Sequence, residues 1–160
     1  MSHIRSKAVK GLAEGDTFTI TRTLSEDETL AFGDLTRDYN PVHYEKRFAR
    51  VKGFKGLICH GLLTGGMICE VGGQIGWLAS RMDFRFKRPV YFGDSVTCRI
   101  TITKLEPNGK AEAMAVMTNQ HGLEVLEAQL EGFVPGRAER EILQAMQAEG
   151  DPTNPLAGES

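Results

Sequence analysis

Residues 61–79 read GLLTGGMICEVGGQIGWLA, the longest apolar run of the chain, and six of them are glycine (Gly61, Gly65, Gly66, Gly72, Gly73 and Gly76). Each glycine costs an isolated helix about 1 kcal/mol relative to alanine. A helix of this composition survives only where tertiary packing supports it. Glycines spaced three and four apart let another backbone come close. The run therefore predicts one long helix buried against a sheet. A membrane span competes with this reading, because the length fits and G-x-x-x-G occurs at 61/65 and 72/76. Glu70 and Gln74 lie mid-run and no further span follows, and a carboxylate at the bilayer centre is costly. The buried helix is the expectation.

Around this helix the apolar period is two. Asp16 opens the segment DTFTITRT, in which Phe18 and Ile20 alternate with threonine and arginine, as in a half-buried strand. After the helix, residues 82–90 place Met82, Phe84 and Phe86 on one face and Asp83, Arg85 and Lys87 on the other. Residues 95–104 alternate Val96, Cys98, Ile100 and Ile102 with polar neighbours. Pro107-Asn108-Gly109 and His121-Gly122 are turn signals leading to strands over 111–119 and 123–134. Short turns suit antiparallel hairpins, and no second long helix is present to make parallel crossovers. The fold class is α+β, an antiparallel sheet of about five strands wrapped around one long central helix. Residues 137–149 predict a short amphipathic helix through Ile142, Leu143 and Met146, and residues 150–160 a disordered tail. With 160 residues, 41% of them hydrophobic, the chain supports one core, so residues 1–149 form a single domain.

Between the first strand and the helix lies Asp38-Tyr39-Asn40-Pro41-Val42-His43. Ser25-Glu26-Asp27-Glu28 has the S-x-x-E form of a capping box and opens a helix expected to run to about Asp38. Proline pushes the residue before it out of the α region, so that helix must stop by Asn40. On a continuous helix a spacing of five would aim Asp38 and His43 apart. Across a turn they can converge. A carboxylate and an imidazole meeting at one point can hold a water molecule and move its protons. A competing reading makes the same residues a helix end and turn, with His43 a satisfied partly buried histidine. Residues 44–57 are basic, without a clean period, and read as an irregular excursion with at most a short helix.

The run Asp38–His43 resembles the D-x-N-P-[LIV]-H signature of the MaoC-like (R)-specific enoyl-CoA hydratase and dehydratase family. Ile58-Cys59-His60-Gly61-Leu62 is similar to that family's H-G entry to its central helix. Arg85-Phe86-Lys87-Arg88-Pro89-Val90 with Gly93-Asp94 is similar to its R-F-x-x-P-V…G-D strand and turn. The resemblance covers about residues 10–135. It implies the hot-dog fold and reversible addition of water to trans-2-enoyl thioesters, giving (R)-3-hydroxyacyl products. It implies Asp38 and His43 as the catalytic pair and the Gly61 amide as the donor to the thioester oxygen. Asn40 and Pro41 would support the motif. A serine of the best-known members is replaced here by Cys69, a weaker donor, and Thr64 could take its place if it points inward. Cys69 and Thr64 are therefore the candidate substrate-pocket residues.

The implied substrate is an acyl-CoA, or an acyl carrier protein thioester, and the family likeness implies a homodimer or a dimer of dimers. No metal and no separate cofactor are expected, because the thioester itself activates the β-carbon. No H-x-x-x-H is present, and Cys59-His60 is a lone adjacent pair. His60 reads as a structural residue ahead of the helix. A net charge of −2 argues against nucleic acid, and the charged residues 1–14 lack a signal-peptide core. Three cysteines without CxxC spacing suggest reduced thiols, so a cytoplasmic location is expected, with no membrane partner. The basic residues Arg47, Arg50, Lys52 and Lys55 could meet CoA phosphates or form a solvated face. Two rival functions keep the fold: a thioesterase using Glu70 on the central helix, and a non-catalytic acyl-CoA binding module.

Overall fold

The structure, a computed structural model, describes residues 3–154. The chain runs α1 (His3–Lys10), β1 (Thr17–Thr23), α2 (Glu26–Thr36), a 3-10 turn (Pro41–His43) and α3 (Lys46–Val51). There follow α4 (Gly61–Gly65), α5 (Met67–Ile75), β2 (Leu78–Phe86), β3 (Ser95–Leu105), β4 (Lys110–Asn119), β5 (Glu124–Phe133) and α6 (Arg137–Ala148). The five strands form one antiparallel sheet in the order β1-β3-β4-β5-β2. Val96, Cys98, Ile100 and Ile102 of β3 face inward and are buried, as their alternation predicts. Opposite them on β4, Ala113 and Ala115 pair with Ile102 and Ile100. These small side chains leave room for the helical layer, whose Met67, Ile68, Val71 and Ile75 complete the core. Each such side chain contributes about 1.5–3 kcal/mol by leaving water. No helix among the described residues is long and apolar enough to cross a membrane.

The central helix departs from expectation in two ways. It is two helices, α4 and α5, separated at Gly66, and it ends at Ile75 rather than Ala79. Gly76 adopts φ +79 as the C-cap, a left-handed conformation open to glycine, which turns the chain into β2 four residues earlier than the apolar run suggests. The second strand consequently starts at Leu78 and stops at Phe86, leaving 87–90 as irregular chain. The excursion over 44–57 contains the short helix α3.

The ends of the chain also differ from expectation. Helix α1 carries no periodic signal in sequence, yet it buries Arg5 and Ala8 against the end of α5. Arg5 donates from Nε to the Gln74 carbonyl at 2.6 Å and from Nη2 to the Gly73 carbonyl at 3.0 Å. It thereby satisfies last-turn carbonyls that the helix leaves without internal partners. Its Nη1 meets the Asp151 carboxylate at 2.9 Å. The expectation of a disordered tail from Gly150 therefore does not describe its first residues: Asp151 is held by Arg5 and Asn154 is buried. The rest of that tail, residues 155–160, lies outside the described residues. Helix α6 forms where its amphipathic pattern predicts but buries none of its residues, and Ile142 is 62% exposed.

Candidate functional site

Local sequence brings Asp38 out of the helix. Ser25 accepts from the Glu28 amide and Glu28 accepts from the Ser25 amide, the capping box that fixes the start of α2. The helix ends at Thr36, two residues before the expected stop, because Arg37 takes φ +58. Arg37 is the sole non-glycine residue with positive φ among the described residues, a strained conformation of the kind held at functional sites. Asn40 then adopts the extended backbone required before proline. Its side-chain oxygen accepts from the Val42 amide at 3.3 Å, and its own amide donates to Asp38 Oδ1 at 3.2 Å. Pro41 starts the 3-10 turn that ends on His43. Asn40 and Pro41 thus brace the turn.

Tyr44 supports the loop from the other side. Its hydroxyl donates to the Asp38 carbonyl at 3.4 Å and fills the space where Gly33 has no Cβ; any side chain there would overlap the hydroxyl. The turn carries out the predicted convergence. Asp38, His43 and His60 each present a ligand atom, and these atoms all lie within 4.8 Å of one another. His43 is 6% exposed and His60 1%, while the Asp38 side chain is 51% exposed.

Hydrogen bonds define the ring nitrogens. His43 Nδ1 lies 2.7 Å from the Ile58 carbonyl. A carbonyl can only accept, so Nδ1 carries the proton and Nε2 is left as a bare acceptor. Burial pushes the His43 pKa below its ordinary 6.5; the nearby His60 acts in the same direction, while the bond to Ile58 and the Asp38 carboxylate oppose it. His60 Nε2 lies 2.9 Å from the Asp38 backbone carbonyl and by the same logic donates to it. The cluster therefore holds two groups that can still accept, His43 Nε2 and the Asp38 carboxylate, whose Oδ1 already takes the Asn40 amide. That is one short of the three protein ligands of a catalytic zinc site. It suits a water molecule, which has two hydrogens to donate.

His43 also lines a cavity of about 300 Å³ together with Gly61, Thr64, Phe86, Val125 and Leu126, with Lys87 and Arg88 at its edge. Gly61 is the first residue of α4, and its N-cap His60 supplies no side-chain bond, so the first-turn amides remain open to another acceptor. A Cβ at Gly61 would stand 2.7 Å from Phe86 Cε1, so a larger residue here requires the Phe86 ring to move. Thr64 is buried, points into this cavity and donates weakly to the His60 carbonyl at 3.5 Å.

Cys69 is not beside it. It is exposed and lines a second, apolar cavity of about 270 Å³ with Gly72, Gly73, Trp77, Met82 and Leu130. Of the two substrate-pocket candidates, the structure places only Thr64 with His43. Glu70 also lies apart, facing Arg22 of β1 at 3.6 Å, and it does not line the His43 cavity. Among the basic residues of the excursion, Arg47 pairs with Glu45 and Lys52 lies over the Phe48 ring.

Sequence reasoning missed the closeness of His60 to the pair. The H-G motif marks the position but carries no sign of a ring stacked on His43. It also missed Arg37 and Tyr44, for which no motif in the chain gives a signal.

Comparison with known proteins agrees with this architecture. The MaoC like domain family matches residues 11–124. An (R)-specific enoyl-CoA hydratase from Rhodospirillum rubrum is 32% identical over 130 residues, 79% of this chain and 90% of the relative. A 3-hydroxybutyryl-CoA dehydratase from Methylorubrum extorquens is 27% identical, over 89% of this chain and 94% of the relative. Among solved structures, an (R)-hydratase from A. caviae involved in PHA biosynthesis superposes with a TM-score of 0.73 at 27% identity, covering 79% of this chain and 99% of that one.

Proposed function

The chain belongs to the MaoC-like domain family, and from that membership we propose that it is an (R)-specific enoyl-CoA hydratase, a hydro-lyase whose Asp38 and His43 handle the water. One observation carries the reading: Asp38 and His43 present ligand atoms within 4.8 Å of each other, and His43 lines the cavity that also holds Gly61 at the start of α4. A water between two acceptors donates one hydrogen to each, which leaves an oxygen lone pair for the β-carbon of the enoyl thioester. As the C–O bond forms, one water proton passes to the Asp38–His43 pair, and one proton passes from the pair to Cα. The product is a 3-hydroxyacyl thioester, and the reverse path is dehydration. Negative charge accumulates on the thioester oxygen along the way. In this reading the Gly61 amide, which opens α4 without a side-chain cap, receives it as a donor that needs no reorganisation.

The cavity takes the acyl thioester, with CoA as the carrier; acyl carrier protein thioesters enter the same assay as the alternative. A second copy completes the assembly in this reading. Strand β2 ends the sheet, paired on one side only, and Leu78, Met82 and Phe86 leave apolar surface exposed along it. The opposite edge, β1, is rich in threonine. An unpaired apolar edge favours joining β2 to β2 in a homodimer. The thioesterase reading loses support because Glu70 is engaged by Arg22 away from His43. A binding module has no need of a bare Nε2 beside a carboxylate.

The test is loss of the conjugated enoyl absorbance when purified protein meets crotonyl-CoA, with the product passed to an (R)-specific dehydrogenase. Wild type should turn over, while Asp38→Asn and His43→Gln should not. Free thiol released without loss of the conjugated double bond would overturn the proposal in favour of hydrolysis.

A further inference from the structure

His60 has no part in the chemistry just described, yet it is among the most buried side chains of the protein and touches every component of the site. Its Nε2–H holds the Asp38 backbone carbonyl at 2.9 Å. Its ring stacks on His43 with centroids 3.7 Å apart and planes 28° from parallel. The Phe32 ring packs against it at 5.2 Å and the Tyr44 ring meets it edge-on at 6.2 Å. Its own backbone is the N-cap from which Gly61 starts α4. The remaining ring nitrogen, Nδ1, is buried and has no hydrogen-bond partner among the described residues.

We infer that His60 is a positioning residue: its N–H fixes the Asp38 backbone and its ring face fixes the plane of His43, so that carboxylate and Nε2 stay aimed at one water. The inference rests on the hydratase reading for its activity arm only. Asp38 needs such a tether. It follows the strained Arg37, its side chain is half in solvent, and its carbonyl is otherwise held by the long bond from Tyr44. His43 is anchored at Nδ1 by Ile58, which leaves rotation about that bond to be stopped by the ring packed on its face. Misplacing a reacting group by about 1 Å can cost on the order of 100-fold in rate.

The stacked ring also keeps water from one face of His43 and so helps to hold its pKa down. The other titratable or charged groups around His43 are Asp38 from the loop after α2, Tyr44 beyond the turn, Cys59 before α4, and Lys87 and Arg88 after β2.

Two variants separate the two contacts. His60→Gln keeps an N–H donor for the Asp38 carbonyl and loses the ring; His60→Phe keeps the ring and loses the donor. Each should lower kcat for crotonyl-CoA about 10- to 100-fold with KM within about threefold, and His60→Ala should be lower than either. In His60→Gln the acid limb of the kcat/KM profile should move up toward pH 6.5, because His43 gains solvent; in His60→Phe it should stay in place. Folded Gln and Phe variants with wild-type kcat and an unmoved limb would overturn the inference while leaving the Asp38–His43 reading intact. If wild type turns over no enoyl thioester, the hydratase reading fails and the positioning claim is read by NMR alone. Wild type should then show a solvent-protected imidazole N–H of His60 and an upward shift of the His43 titration in His60→Gln. Absence of either would overturn it.

Discussion

Arg5 and Asp151, 146 residues apart in sequence, meet at 2.9 Å in a buried ion pair at the C-terminal end of α5. The same guanidinium caps the Gly73 and Gln74 carbonyls, so one side chain from the first helix joins the last described residues to the central one. Removing one partner of a buried pair leaves the other uncompensated. Arg5→Met should cost about 3 kcal/mol, and thermal unfolding should move down by roughly 6–12 °C. The Asp151 carboxyl is held below its usual range by its bonds from Thr153, with Arg5 adding to them. A depressed carboxylate stabilises the fold above its unfolded pKa of about 3.9 and loses that contribution as pH falls through the lower folded value. Acid titration of stability should therefore show a smaller drop below about pH 4 in Arg5→Met than in wild type.

In the proposed hydration His43 accepts a proton, which requires its neutral form. Because burial lowers its pKa from 6.5, the acid limb of kcat/KM should fall below pH 6.5, and activity should persist through pH 6.5 and above. Stability follows the same sign: the unfolded chain binds the extra proton first, so folding weakens as pH drops from about 6.5 toward the folded value. A pH series of initial rates and of thermal unfolding checks both. An acid limb above 6.5 would contradict the assignment of Nε2 as a free acceptor in a buried ring.

Asp38→Asn and His43→Gln should each lower kcat about 10²- to 10⁴-fold, the range expected when a positioned proton-transfer group is lost. They should differ in stability. Asp38 is half exposed, so its variant should melt within about 0.5 kcal/mol of wild type. His43→Gln replaces a buried ring bonded to Ile58 and should cost about 1–3 kcal/mol in denaturant titration.

Gly61→Ala places a Cβ 2.7 Å from Phe86 Cε1, and overpacking of this kind costs about 1–3 kcal/mol. The amide would shift with the backbone, so turnover should fall along with stability. A second change, Phe86→Leu, should return part of the stability, and a double-mutant cycle should show favourable coupling. Independent, additive effects would mean that the clash is relieved elsewhere.

Glu70→Gln should leave kcat and KM for enoyl-CoA within about twofold, since surface changes away from a site stay within about ±0.5 kcal/mol. Its ion pair with Arg22 is partly exposed and worth about 0–1 kcal/mol. A large loss of turnover would place Glu70 in the chemistry and revive the hydrolytic reading.

Much of this fold is written in local patterns. The alternation of Val96, Cys98, Ile100 and Ile102 specifies a strand and its buried face because the side-chain period of a strand is two. The capping box at Ser25 and Glu28 and the turn at Asn40-Pro41 are equally local, since their partners lie within three residues. That is why the convergence of Asp38 and His43 could be anticipated. The break at Gly66 and the early end of the helix at Ile75 could not, because an apolar, glycine-rich run looks the same whether it continues as helix or turns into strand.

The site divides along the same line. Sequence alone determined which residue types stand at the turn and that proline would bend the chain between Asp38 and His43. Only the tertiary structure decided that His60 stacks on His43, that Thr64 rather than Cys69 lines the same cavity, and that Glu70 turns to Arg22. The same holds for Arg5, whose partners at Gly73, Gln74 and Asp151 lie 68 to 146 residues away. The physical reason is range. Backbone preference and side-chain periodicity act over a few residues, whereas stacking, burial and ion pairing depend on which distant segments the packed core brings face to face.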